Sequence, residues 1–159
     1  MGYNCTVRRT RFDKDPCPIA RTTDLIGDWW TPVVMREAFF GCKRFDEFQE
    51  RLAISRATLT ERLTRLVEEG MLDRTAYQTK PVRYEYLLTD KGRSFFAVLA
   101  AMWAWGDRWM FDGQGATIEL SDRNSKATLT PIVVDANTGL PIDLRNVRVR
   151  RKRRVESVG

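Results

Sequence analysis

The sequence predicts a mainly α-helical fold carrying one small β-hairpin, and three observations predict it. Leu59, Leu63, Leu66 and Val67 fall at i, i+4, i+7 and i+8, which is one face of a helix. Past Gly70, two β-rich runs at 72–78 and 84–88 flank residues 79–83, where Pro81 removes a ladder donor and forces a loop. Before them, residues 44–52 place Phe45, Phe48 and Leu52 on one face of a short helix, joined by a very short link. Helix, tight turn, helix and basic-tipped hairpin is the order of a winged helix-turn-helix. In such a fold the second helix fills a major groove and the hairpin reaches the adjacent backbone.

The remaining elements follow in chain order. Residues 1–15 are polar and read as a flexible arm. Pro16-Cys17-Pro18 opens a short helix over 19–26 that Gly27 ends, and Asp28 can begin the next helix, 29–40. Pro32 sits in or near its first turn, where a missing N–H costs least. Trp29, Trp30, Val33, Val34, Phe39 and Phe40 make this helix apolar nearly all round, so it is buried in the core or between subunits. Ser55 is the expected N-cap of the second helix of the motif. After the hairpin, Thr89 and Asp90 cap a long helix to about Met110. Its residues Phe95, Leu99, Met102, Gly106 and Trp109 recur close to a heptad, with Trp103 beside them. That is more apolar surface than one small domain covers. A homodimer is the expected solution, and cover by the Trp29/Trp30 helix of the same subunit is the alternative. Residues 16–111 are therefore read as the winged-helix and dimerisation domain. Residues 112–144 form a linker and small β appendage with strand-like runs at 117–120, 129–134 and 144–149, and 145–159 form a basic tail.

Charge narrows the function classes. The net charge of +6 is carried by the tail, because 145–154 holds seven basic residues and no acidic one. The body is nearly neutral, so any footprint for nucleic acid must be local. Histidine is absent, which excludes Ser-His-Asp and Cys-His catalysis and any His-containing zinc site. Cys5, Cys17 and Cys42 have neither paired spacing nor an even count, so no disulfide framework, structural zinc or other cofactor is expected. No apolar run reaches bilayer length and no signal-peptide pattern opens the chain, so the expected location is the cytoplasm, away from membranes.

Several stretches, taken together, carry a family resemblance. CPIARTTDLIGDWW, KRFDEFQERL, ISRATLTERLTRLVEEGML, KPVRYEYLLTDKG and AMWAWGDRW resemble the HxlR-type bacterial winged-helix transcription regulators, in unbroken order over 17–109. The resemblance implies a dimer held by the first and last helices, a recognition helix over 55–69, a wing over 75–86, and regulation at a palindromic operator on double-stranded DNA. Carried residue by residue, the recognition candidates are Ser55, Arg56, Thr58, Arg62 and Arg65, with Lys80 and Arg83 on the wing. Pro32 departs from the usual apolar residue of relatives, and the cysteine-free tail departs from those relatives that carry a zinc-ribbon-like one.

Two switches are conceivable. Cys17 occupies the Cys-Pro position that redox-sensing relatives use, at a helix N-terminus where the dipole favours a thiolate, with Arg21 one turn on. Asp15 opposes this, and a buried, inert thiol is the alternative. The aromatic set of Trp29, Trp30, Phe95, Leu99, Met102, Trp103, Gly106 and Trp109 is a dimer interface, a pocket for a small aromatic effector, or plain core. The leading function is a dimeric, sequence-specific DNA-binding regulator, a repressor in the first instance. A winged-helix module for protein–protein contact is the competing class. A thiol enzyme has little machinery here.

Overall fold

The structure is a computed structural model and describes residues 11–150. The described residues form six α-helices, one two-stranded antiparallel sheet and one 3₁₀ turn. The chain divides into two compact units after Leu99.

The first unit opens with α1 (Pro18–Ile26) and α2 (Trp30–Phe39). Asp28 caps α2 as its position promised. Its carboxylate accepts from the Trp30 and Thr31 amides at 2.9 and 2.8 Å and from the Thr31 hydroxyl at 2.6 Å. Helix α3 (Phe45–Leu52) begins where Glu47 turns back to accept from the Lys43 and Arg44 amides at 2.8 and 3.0 Å. These bonds hold the Glu47 carboxyl below its ordinary range. Ala53, with φ of +48°, makes the tight turn into α4 (Arg56–Glu68), which Ser55 caps by accepting from the Thr58 amide at 3.1 Å.

Leu59, Leu63 and Leu66 are fully buried, as their spacing required. They pack with Val34, Met35, Phe48, Ile54, Met71 and Leu72 in one core. Helix α2 is less uniformly buried than its composition suggested: Val34 and Met35 lie in the core, whereas Trp29 is 90% exposed.

The hairpin is tighter than expected. Strands β1 (Leu72–Thr79) and β2 (Val82–Leu88) run almost to the tip, leaving Lys80-Pro81 as the turn, with a cis bond between them. Val82 and Arg83 are thus strand residues rather than loop. On its other side β2 receives Lys43 and Arg44: the Tyr86 amide donates to the Lys43 carbonyl at 2.7 Å, and Arg44 bridges Glu85.

The predicted long helix is two helices, α5 (Asp90–Ser94) and α6 (Phe96–Trp109). Phe95 stands between them, with its ring drawn into the core of the first unit. Gly92 lies so close to the Met71 carbonyl that an added Cβ would sit 2.1 Å from that oxygen. That approach fastens α5 beneath β1.

The second unit begins within α6, none of whose residues is buried. Beyond it, the strand-like runs are extended but pair only through two isolated bridges, Ser121 with Thr128 and Val134 with Pro141. Leu144–Asn146 is a 3₁₀ turn rather than the start of a strand. Asp122 and Asp135 each close a turn by accepting from amides two or three residues on, which depresses their carboxyl pKa values. The basic run of the tail lies partly, and residues 1–10 of the arm wholly, outside the described residues.

Candidate nucleic-acid interface

Helix α4 offers solvent a stripe of Ala57, Thr60, Glu61 and Thr64, with Arg56 at its first turn. Arg56 is exposed, and its guanidinium lies 4.9 Å from the centre of the Phe45 ring. Ser55 and Thr58 share a hydroxyl hydrogen bond of 2.8 Å at the helix start. Lys80 is at the tip of the wing and Arg83 one residue into β2.

Arg62 and Arg65, expected on the same surface, are turned the other way. Arg62 is only 14% exposed and reaches Asp28 at 3.3 Å, with Glu61 at 3.4 Å on its other side. Its Nε is buried without a hydrogen-bond partner. Arg65 donates to the Asp24 carbonyl, and the Asp24 carboxylate in turn meets Arg11 at 3.4 Å. Arg65 ties α4 to α1, and Arg62 ties it to the α1–α2 connection. Thr60 and Thr64, which the sequence reading passed over, occupy the outward stripe instead. The helical period, applied strictly from Ala57, would have found them.

Between the N-termini of α3 and α4 and the wing lies a groove of about 520 Å³, lined among others by Arg44, Arg56, Arg74, Arg83, Tyr77 and Tyr84. Arg74 packs 3.6 Å from the Tyr84 ring centre and Arg44 4.4 Å from that of Tyr77. A bulge at Tyr77, between the pairs Ala76–Tyr84 and Gln78–Arg83, takes that residue out of the ladder. Arg44 and Arg74 were not picked out from sequence. Arg44 has only Lys43 beside it and Arg74 follows Asp73, so neither stands in a basic run that would have marked it.

A match to a family model settles the kinship: the HxlR-like helix-turn-helix model covers residues 25–114. The chain belongs to the HxlR-like family. Among HxlR-like relatives, an uncharacterized HTH-type transcriptional regulator of Mycobacterium tuberculosis is 38% identical over 129 residues, covering 81% of this chain and 82% of that protein. YdeP of Bacillus subtilis, another uncharacterized HTH-type transcriptional regulator, is 34% identical over 98 residues, 61% of this chain and 77% of its own. The solved structure of PA1607, assigned as a transcription factor, superposes with a TM-score of 0.81 at 35% identity and covers 90% of this chain and all of its own. The redox regulator HypR, in its oxidized form, gives 0.52 at 34% identity over 57% of this chain and 94% of its own. As in those relatives, the described fold is a winged helix-turn-helix, and the family assignment makes the chain a transcription regulator of the DNA-binding kind.

Cys17 lies immediately before α1, where the sequence put it, and it is exposed, which removes the alternative of a buried thiol. Its amide donates to the Asp15 carboxylate at 2.8 Å, and the Arg21 guanidinium donates to the Asp15 carbonyl at 2.6 Å. Cys42 is buried, and burial pushes its thiol pKa up. Cys5 lies outside the described residues. Of the aromatic set, Trp30 and Leu99 pack against the first unit's core and Phe95 is part of it. In the second unit, Met102, Trp103 and Gly106 line an apolar cavity of about 160 Å³ with Phe111 and Ile118. Trp109 is 61% exposed. No helix among the described residues is long and apolar enough to cross a membrane.

Proposed function

We propose that the chain is a homodimeric, sequence-specific repressor that binds a palindromic operator, with α4 in the major groove and the wing on the flanking backbone. The observation that carries this reading is the exposed chemistry of α4. Arg56, Ala57, Thr60, Glu61 and Thr64 are small, polar or charged, whereas a protein-docking face there would be apolar; Glu61 is the one group of this stripe that repels phosphate. Ser55, Arg56 and Thr58 serve as direct contacts at the helix N-terminus, and Lys80 and Arg83 as wing contacts. Arg62 and Arg65 serve the same surface at one remove, by fixing the pitch of α4 against α1 and the α1–α2 connection.

Dimerisation is assigned to α6, whose apolar residues Met102, Trp105 and Trp109 are all exposed. Oxidation of Cys17 is the proposed signal. It is supported by that thiol's exposure beside α1 and by the likeness to HypR, a redox regulator. Selection of bound DNA from a random duplex pool tests the whole. The expected product is an inverted repeat with half-site centres about 10 base pairs apart, or a multiple of that. A pool that stays random would refute specific recognition. Mass spectrometry after mild peroxide treatment tests the switch, with modification expected at Cys17. An unmodified Cys17 removes it.

A further inference from the structure

We propose that Arg44 and Arg74, held on the faces of Tyr77 and Tyr84, form a sequence-independent grip for the sugar-phosphate backbone of one DNA strand beside the α4 contact. This grip rests on the DNA-binding reading above and adds a division of labour to it. The register of the hairpin builds it. Arg74 pairs with Tyr86 across the ladder, so Tyr84 is its diagonal neighbour on the same face, and the guanidinium lies 3.6 Å from that ring centre. The bulge takes Tyr77 out of the alternation, and its ring lies 4.4 Å from the Arg44 guanidinium. A guanidinium already placed by a ring has less freedom to lose when it takes a phosphate, and its forked N–H donors suit phosphate oxygens.

Charge decides between the two arginines. Arg44 is paired with Glu85 at 3.1 Å, so part of its charge is offset. Among the described ion pairs Arg74 has no carboxylate; Asp46 also lines the groove but forms no described ion pair with it. The occupant follows from continuity. Arg56, at the first turn of the recognition helix, lines the same groove, so a duplex seated on α4 brings a strand past the wing. Arg44 stands at the start of α3 and Arg74 on β1, off the outward stripe of α4, and the grip therefore positions the duplex rather than reads it.

The test is fluorescence anisotropy of the full chain with a labelled selected operator and a scrambled duplex, over a series of salt concentrations. Arg74→Ala is expected to lower the slope of log affinity against log salt by about 1 on both duplexes while leaving their affinity ratio unchanged. Arg74→Lys should keep the slope. Tyr84→Phe should match wild type, whereas Tyr84→Leu, which removes the ring, should weaken both duplexes alike. A wild-type slope in Arg74→Ala, or a loss confined to the operator, overturns the grip. Wild-type protein that binds neither duplex overturns the regulator reading itself, and the grip with it.

Discussion

What a side chain in this protein can do is set by the partner it finds, and Arg56 and Arg62 make the contrast. Both are arginines on α4. Arg62 spends its charge on Asp28, whereas Arg56 faces Phe45 and keeps its donors for a ligand. Arg56→Ala is expected to lower operator affinity by about 1–3 kcal/mol and to relax preference at one base pair, as titration of the operator and its single-base variants would read. Sequence could name both arginines but could not sort them, because Asp28 lies 34 residues from Arg62. Glu47 was not singled out from the sequence, although a glutamate three residues past the N-cap is a capping signal. Its folded pKa is lowered by the Lys43 and Arg44 amides. The stability this linkage adds is therefore present above the unfolded pKa, near 4.5, and is lost as pH falls through the lower folded value. Glu47→Gln keeps an acceptor but no titrating group. Denaturation midpoints of the variant should vary less than wild type below about pH 5, at a neutral-pH cost of under about 1 kcal/mol.

At the scale of elements, the periodic helices and their caps were readable and the breaks were not. Ser55, Gly70 and Thr89 do what their residue types predict: a cap, a left-handed stop with φ of +67°, and a second cap. The break between α5 and α6 escaped detection because Phe95 fits the heptad as well as it fits the core. Only Met71, Leu72 and the rest of that core decide where its ring goes. Pro81 predicts a loop over 79–83, whereas β1 and β2 pair as far as Thr79 and Val82, because a proline in the turn itself costs the ladder no bond. Asp28 joins the best-read and worst-read parts of the chain. It caps α2 and also pairs Arg62, so it sets α4 against the α1–α2 connection. Asp28→Ala removes the cap and leaves a mostly buried guanidinium, whose Nε already lacks a partner, with the exposed Glu61 at 3.4 Å as its carboxylate. The expected cost is about 2–4 kcal/mol in urea denaturation. Operator affinity should fall even under conditions where the variant remains folded. Gly92→Ala tests the other fastening, since its Cβ would collide with the Met71 carbonyl. A clash with backbone should cost about 1–3 kcal/mol despite the higher helix propensity of alanine.

For the whole molecule, the question is what covers α6. Composition alone announced an excess of apolar surface there, and the exposure of Trp105 and Trp109, 58% and 61%, keeps it in view. Gly106 supplies a test that separates a partner helix from open solvent. An added Cβ at Gly106 meets nothing within 4 Å among the described residues, so a methyl group there is accepted without a clash. If α6 stayed bare, Gly106→Ala would only strengthen the helix, by up to about 1 kcal/mol, and Gly106→Leu would do little harm. If a second copy packs against this stripe, Gly106→Leu wedges the two helices apart. Sedimentation should then show single chains where wild type sediments as pairs, with helix content unchanged by circular dichroism. Operator affinity should drop by about 10²- to 10⁴-fold, because two linked reading heads bind as one and separate heads do not. Binding to an isolated half-site should be untouched. A Gly106→Leu protein that keeps both its wild-type mass and its operator affinity would move the dimer contact off α6.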